Sequence, residues 1–240
     1  PSSAASRRML RLSIPMLFAV AAICNAVVAV FIYGLVPEFL LRFVAWVLIH
    51  LFYRLKKRGV EHIPHEGAAL IVCNHVSFVD PVILMAVSPR PIRFVMDHRI
   101  FRTPLISFIF RHTRAIPIAP AREDAAMMER AFADVSLALR EGELVGIFPE
   151  GRITDTGELY PFRPGVTRIL ERDPVPVIPL ALQGLWGSFF SRKDGPAMSK
   201  PFRRGLFATI AVVGAGPVPP AESTPEHLQQ IVARLRGDWK

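Results

Sequence analysis

Ala68-Ala69-Leu70-Ile71-Val72-Cys73-Asn74-His75-Val76-Ser77-Phe78-Val79-Asp80-Pro81-Val82-Ile83-Leu84-Met85-Ala86-Val87 is the stretch from which the fold is read. The uninterrupted apolar run that opens it fits a strand buried on both faces. The run after Asp80 reads as a short helix, with Asp80 or Pro81 in its first turn. An imidazole therefore sits where a strand ends, and a carboxylate sits five positions later at a helix start. Two readings follow. One is a turn histidine beside an N-capping aspartate. The other is an imidazole held in one tautomer by a carboxylate that turns back on it, as in a general base. The heptad 74–80 alone does not separate them.

The same strand-then-helix pattern continues on both sides. Strands are predicted over 68–73, 92–96, 115–118, 144–148, 175–182 and 206–213, with helices over 81–87, 103–111, 124–140, 165–171 and 225–236. The helix over 124–140 is the clearest, because Met128, Phe132, Val135 and Leu139 recur at helical spacing with Glu129, Arg130 and Asp134 turned away. Its methionines read as core. The alternation predicts an α/β fold, a mixed, mostly parallel sheet flanked by helices.

Hydrophobic residues make up 51% of the 240-residue chain and the mean hydropathy is +0.34, high for a wholly soluble domain. From Leu12 to Pro37 no charged residue occurs, long enough for one bilayer crossing. A cleaved signal peptide is the competing reading, although no clean cleavage site precedes the next apolar run. Arg7, Arg8 and Arg11 precede this stretch, and Arg54, Lys56, Lys57 and Arg58 follow the second apolar stretch, so charge leaves the orientation of the first helix open. That second stretch, rich in Phe39, Phe43, Trp46, Phe52 and Tyr53, reads as a helix lying in the membrane interface. The expected organisation is a basic N-terminus and transmembrane or membrane-associated helix over 1–37, an interfacial helix and basic linker over 38–58, and a catalytic domain over 59–240. The net charge of +9 suits anionic head groups or phosphorylated substrates, and no nucleic-acid module is recognisable. Cys24 and Cys73 form no CxxC pair, no zinc spacing is present, and neither a disulfide framework nor a metal is expected.

Three further features bear on chemistry. Phe148-Pro149-Glu150-Gly151-Arg152 follows another apolar strand. Its glycine permits close backbone approach, its arginine suits a phosphate, and Glu150 is expected to pair with Arg152 or another cation. An ordinary turn with a surface ion pair is the plain alternative. Arg163 and Arg168 flank Pro164-Gly165 and add guanidinium groups, as phosphate contacts or as surface arginines. Val175-Pro176-Val177-Ile178-Pro179 is an apolar strand whose prolines suggest an edge or a bulge.

Taken in order, His75-x4-Asp80, Phe148-Pro149-Glu150-Gly151 and Val175-Pro176-Val177-Ile178-Pro179 resemble the glycerolipid acyltransferase family, which includes lysophosphatidic acid acyltransferase and related lysophospholipid acyltransferases. The resemblance spans about 59–182. It implies that His75 is the catalytic base and Asp80 the carboxylate that orients it. It implies that Phe148, Pro149, Glu150 and Gly151, with Arg152, bind the phosphorylated acceptor, and that Pro179 helps shape the acyl-chain site. Two departures stand out. The family's second block usually ends in an arginine, whereas Arg114-Ala115-Ile116-Pro117-Ile118-Ala119-Pro120 has none after Ile118, leaving Arg122 or Arg114 as substitutes. Arg152 also follows Gly151 directly, where a threonine is common. The run Phe148-Pro149-Glu150-Gly151-Arg152-Ile153-Thr154 looks more like the 2-acylglycerophosphoethanolamine branch, in which the domain can follow a transporter-like membrane domain. A start at Pro1 rather than Met fits a piece of such a longer polypeptide.

The resemblance implies acyl transfer from acyl-CoA or acyl-carrier protein to the hydroxyl of a lysophospholipid. Membrane lipids would be partners and no cofactor would be bound, with the domain on the cytoplasmic face of a bacterial-type inner membrane. An acceptor of the 1-acylglycerol-3-phosphate type is the alternative. Ser77 is a poor nucleophile so near His75, no G-x-S-x-G elbow occurs, and direct attack by the acceptor hydroxyl is expected. Amide groups at the start of the helix after Asp80 are candidate oxyanion donors. Two other classes remain open: a non-catalytic, transporter-associated membrane module and a thioester hydrolase.

Overall fold

The computed structural model describes residues 13–35, 37–102, 112–193, 195 and 207–239. Seven strands form one sheet: β1 (Tyr53–Arg58), β2 (Ala69–Cys73), β3 (Ile92–Asp97), β4 (Ile116–Ile118), β5 (Leu144–Ile147), β6 (Val177–Gln183) and β7 (Ala208–Gly214), in the order β1-β7-β6-β2-β5-β3-β4. β6, β2, β5, β3 and β4 run parallel, β7 is antiparallel to β6, and β1 is parallel to β7. The expected mixed, mostly parallel sheet is therefore present. The expected helix over 103–111, the first residue of the expected strand at Leu206, and Arg7, Arg8 and Arg11 lie outside the described residues.

Six helices accompany the sheet among the described residues: α1 (Ile14–Leu35), α2 (Pro37–Phe52), α3 (Asp80–Val87), α4 (Ala125–Arg140), α5 (Gly165–Arg172) and α6 (Pro225–Arg236). Strand alternation divides the core in two. Leu70 and Val72 of β2 and Val177 and Ala181 of β6 pack with Phe132, Val135 and Leu139 of α4, Val166 and Ile169 of α5, and Leu228 and Val232 of α6. Ala69, Ile71 and Cys73 of β2 and Ile178, Leu180 and Leu182 of β6 face Ile83 and Leu84 of α3 and Ile49 of α2. Each such fully buried Leu, Ile or Val contributes roughly 1.5–3 kcal/mol. The ends of α4 agree with its sequence, since Asp124 caps it by accepting from Met127 N at 2.8 Å.

Two expectations change. The basic run Arg54-Leu55-Lys56-Lys57-Arg58 is not a linker but most of β1, paired along its length with β7. Only Tyr53 and Leu55 turn inward, and the exposed Lys and Arg side chains protect a sheet edge against pairing with another chain. The proline-containing β6 is not an edge strand, because β7 and β2 flank it. Pro179 is tolerated because it sits where the β6–β7 ladder ends: its carbonyl accepts from Ala215 N at 3.1 Å, and only the return bond is forgone.

The Ile14–Ile32 part of α1 is long and apolar enough to cross a membrane, and none of it is buried against the rest of the chain. α2 buries Ala45 and Ile49 while exposing Phe39, Phe43, Trp46, Leu51 and Phe52. Arg42 of α2 donates to Ser88 O, at the C-terminal end of α3, at 2.5 Å, a favourable place for a cation.

Candidate active site

Three chain segments that leave the C-terminal ends of neighbouring parallel strands meet: 74–80 after β2, 148–163 after β5, and 184–193 after β6. Ligands of open α/β sheets bind at this end of the strands. Backbone contacts tie the segments together. Thr154 N donates to His75 O at 2.9 Å, and Phe78 N donates to Phe190 O at 3.2 Å. Ser77 and Ser191 form a β-bridge. Asn74 closes the base of the site: its Oδ1 accepts from Leu182 N at 2.7 Å and its Nδ2 donates to Leu182 O at 3.0 Å.

The structure brings His75 and Asp80 together. Asp80 opens α3 and is fully buried. Its Oδ2 lies 2.8 Å from His75 Nδ1 and also accepts from Val76 N at 2.6 Å and Ser77 N at 2.9 Å. Its Oδ1 accepts from Ser77 Oγ at 2.5 Å. A carboxylate that only accepts places the hydrogen on Nδ1 and leaves the lone pair on Nε2. The imidazole is 18% exposed, and among the described residues no protein group bonds to Nε2. Its ring stacks on Phe148 with centroids 4.2 Å apart, and Phe148 stacks on Phe94 at 5.9 Å. Gly146 makes room for this column, because a Cβ there would stand 2.7 Å from the Phe94 ring.

Glu150 departs from its expected pairing. It does not meet Arg152. Its carboxylate is buried, with Oε1 accepting from His75 N at 2.7 Å and Oε2 from Tyr160 N at 2.8 Å. Burial pushes its carboxyl up to about 7, against the opposing pull of those two N–H groups and of the His75 ring. Gly151 takes φ 67° and closes a tight turn by donating from its N to Phe148 O at 2.9 Å. Pro149 is buried, and its carbonyl accepts from Arg163 N at 2.9 Å. Arg163 packs its guanidinium across Gly151, so closely that a Cβ there would be 2.8 Å away. Arg152 is exposed and lies over the Tyr160 ring at 3.8 Å.

Other expected residues lie elsewhere. Pro179 shares the face of β6 that carries Val177 and Ala181, opposite the face that packs with Phe148. Arg114 precedes β4 at the far end of the sheet, where it pairs with Glu143 at 2.8 Å, so it does not replace the arginine missing after Ile118. Arg122 is exposed in the turn after β4, at the sheet edge three strand positions from β2. Arg168 pairs with Glu129 and lies over Phe132 at 4.2 Å, on the α4 face. At the start of α3, Asp80 N donates to Ser77 O, Pro81 has no N–H and Ile83 N donates to Val79 O, so the expected oxyanion donors narrow to the Val82 amide among the described residues. The sequence reading passed over Ser77 and Asn74 as structural parts of the site. Ser77-x-x-Asp80 before an apolar run has the form of a capping box, a signal for a carboxylate that reaches back to the main chain.

Comparisons with known proteins agree on one family. A family model described as Acyltransferase matches residues 54–183. The chain is 28% identical over 148 residues to "1-acyl-sn-glycerol-3-phosphate acyltransferase BAT2, chloroplastic" of Brassica napus, covering 61% of this chain and 42% of that protein. It is 27% identical over 139 residues to the 1-acyl-sn-glycerol-3-phosphate acyltransferase of Bacillus subtilis, covering 58% of this chain and 67% of that protein. The human protein 1-acyl-sn-glycerol-3-phosphate acyltransferase alpha is 24% identical over 194 residues, with 79% of this chain and 65% of that protein covered. The chain thus spans under half the length of the Brassica protein and about two thirds of the other two. In fold it resembles the crystal structure of the 1-acyl-sn-glycerophosphate (LPA) acyltransferase PlsC from Thermotoga maritima, with a TM-score of 0.63, 20% identity, and coverage of 82% of this chain and 75% of that one.

Proposed function

The chain belongs to the Acyltransferase family, and on that premise we propose that it moves a fatty acyl group from a thioester to the free hydroxyl of a 1-acylglycerol 3-phosphate. The observation that carries the chemistry is the His75 Nδ1 to Asp80 Oδ2 contact at 2.8 Å, with Nε2 on the open side of the ring. Nε2 takes the acceptor's hydroxyl proton as that oxygen attacks the thioester carbonyl. The tetrahedral intermediate collapses, the carbon–sulfur bond breaks, and the thiolate receives the proton back from the imidazolium. Asp80 keeps the tautomer and offsets the imidazolium charge. Ser77 is not a nucleophile in this scheme, because its hydroxyl is committed to Asp80. Phe148 backs the imidazole, Pro149 and Glu150 hold the loop in place, and Gly151 and Arg152 face the acceptor's glycerophosphate. Pro179 acts through the position of β6, and Arg122 lies at the outer edge of the acceptor's approach.

The acceptor assignment draws support from the relatives, whose names specify 1-acyl-sn-glycerol-3-phosphate. A second reading, an acceptor of the lysophosphatidylethanolamine type, is favoured by Arg152 directly after Gly151 and by the absence of an arginine after Ile118. The donor is acyl-CoA or acyl-carrier protein. The apolar α1 and the aromatic face of α2 support these two helices as the membrane-bound part, with the domain that begins at β1 on the cytoplasmic face of a bacterial-type inner membrane. The test is thiol release from either donor with lysophosphatidate, lysophosphatidylethanolamine or glycerol 3-phosphate. Release that requires lysophosphatidate supports the proposal. Equal release with no acceptor makes the chain a thioester hydrolase, and release only with lysophosphatidylethanolamine transfers the assignment to the second reading.

A further inference from the structure

A phosphomonoester carries close to two negative charges at neutral pH, and its recognition gains from more than one guanidinium. The position after Ile118 supplies none here, Arg114 is ion-paired at the far end of the sheet, and Arg168 is ion-paired on the α4 face. At the His75 end, the segment after β6 supplies a cation outside the matched span 54–183. Arg192 follows Ser191, whose backbone bridges to Ser77, two residues from His75. Its guanidinium lies 5.7 Å from the ring centroid of Phe78, an exposed residue of the same loop. Arg152 approaches from the opposite segment, stacked on Tyr160 at 3.8 Å.

Asp155, three residues after Arg152, lies within electrostatic range of both arginines. Its carboxyl is held below the usual carboxylate range, chiefly by the Tyr160 hydroxyl, with Arg152 and Arg192 both adding to the effect. Both guanidinium groups are exposed, and neither forms an ion pair within hydrogen-bonding reach among the described residues. The segment that carries Arg192 is anchored. Trp186 packs so tightly on Gly157 that a Cβ at Gly157 would stand 2.7 Å from its indole. Ser191 Oγ accepts from Gly187 N at 3.0 Å and donates to Ser188 O at 2.9 Å.

We propose that Arg192, together with Arg152, binds the phosphate of the acceptor and so determines that a phosphorylated lysolipid is used. This assignment rests on the acceptor reading above. Arg192 supplies, from the exit of β6, the guanidinium missing directly after Ile118, whereas Arg122 in the turn after β4 lies at the sheet edge. The two arginines follow β5 and β6, the strands on either side of β2 and its His75 loop, so a phosphate held by both leaves the rest of the acceptor to reach toward Nε2.

The test uses the full chain in vesicles, with lysophosphatidate and with uncharged monoacylglycerol as acceptors, and binding of glycerol 3-phosphate measured separately by calorimetry. Arg192→Ala is expected to raise the lysophosphatidate KM and the glycerol 3-phosphate Kd about tenfold or more, the scale of one lost charged hydrogen bond. The monoacylglycerol rate, and the donor KM measured with acyl-carrier protein, should stay within about twofold, because monoacylglycerol has no phosphate and the carrier's phosphopantetheine arm is a phosphodiester. Arg192→Lys should recover part of the loss, since an ammonium keeps the charge but not the fork. Unchanged lysophosphatidate KM and glycerol 3-phosphate Kd in a folded Arg192→Ala variant, or an equal loss with monoacylglycerol, overturns the assignment. So does a rise in KM produced by Arg122→Ala and not by Arg192→Ala. If the wild-type chain binds glycerol 3-phosphate through Arg192 but acylates no lysophosphatidate, the function reading fails and this one stands. If it neither binds nor acylates, both fail.

Discussion

Asp80 Oδ2 lies 2.8 Å from His75 Nδ1 while the same oxygen accepts the N–H groups of Val76 and Ser77. One carboxylate thus fixes both the ring and the turn that carries it. The closeness of His75 and Asp80 is a consequence of the six-residue loop 74–79 folded around a buried acceptor rather than of two rotamers meeting by chance.

Asp80→Asn tests that double duty. An amide with its oxygen in the place of Oδ2 keeps Nδ1–H and both main-chain N–H groups but carries no charge to offset an imidazolium, and with the amide turned over its NH2 opposes all three donors. The expected outcome is a loss of roughly 10³–10⁴ in turnover, as for other histidines deprived of their orienting carboxylate. His75→Ala should fall as far, followed by thiol release with acceptor present. A well-folded His75→Ala protein that keeps a tenth or more of its activity would remove the base assignment.

Glu150 makes stability depend on pH in a defined direction. Its folded value, about 7, lies above the ordinary 4.5. The folded state therefore binds the extra proton, so the contribution from Glu150 is complete below 4.5, declines between 4.5 and about 7, and stays constant above. The full change is about 3 kcal/mol. In Glu150→Gln this component should vanish, so the wild type minus variant difference in unfolding free energy should fall across that interval. A difference that is flat from pH 4 to 8 would count against a buried, proton-binding Glu150.

Gly146→Ala should disturb chemistry from a distance. The added methyl would stand 2.7 Å from Phe94, whose ring supports Phe148 and, through it, the His75 imidazole. Overpacking of this kind costs about 1–3 kcal/mol. The variant should melt at a lower temperature and turn over more slowly than wild type at temperatures where both are folded. Wild-type turnover in a destabilised Gly146→Ala protein would show that the ring column does not align the base.

Much of this protein was legible in advance. Continuous apolar runs such as Leu70–Val72 mark strands buried on both faces, and the Met128, Phe132, Val135, Leu139 spacing marks α4, because local periodicity follows directly from which faces are covered. The strand β1 was not legible, since Arg54, Lys56, Lys57 and Arg58 have the composition of a solvated linker. Only its pairing with β7, distant in sequence, makes it a strand. Glu150 departs from its expected pairing for a related reason. Beside Arg152 in sequence, it looks like half of an ion pair, but its partners are the main-chain N–H groups of His75 and Tyr160, and main-chain donors leave no trace in residue type.

Local pattern was enough for the sheet's layers, which follow from hydrophobic period, and for the five-residue spacing of His75 and Asp80, while the family resemblance came from the order of His75-x4-Asp80, Phe148–Gly151 and Val175–Pro179 along the chain. The tertiary structure alone decided which charges reach the site. Arg114, Arg122, Arg168 and Arg192 are alike as letters, yet strand order sends Arg114 to the far end of the sheet, Arg122 to its edge, Arg168 to the α4 face and Arg192 to the His75 loop. Strand order is set by long-range pairing, and short-range pattern carries no information about which strand exits become neighbours.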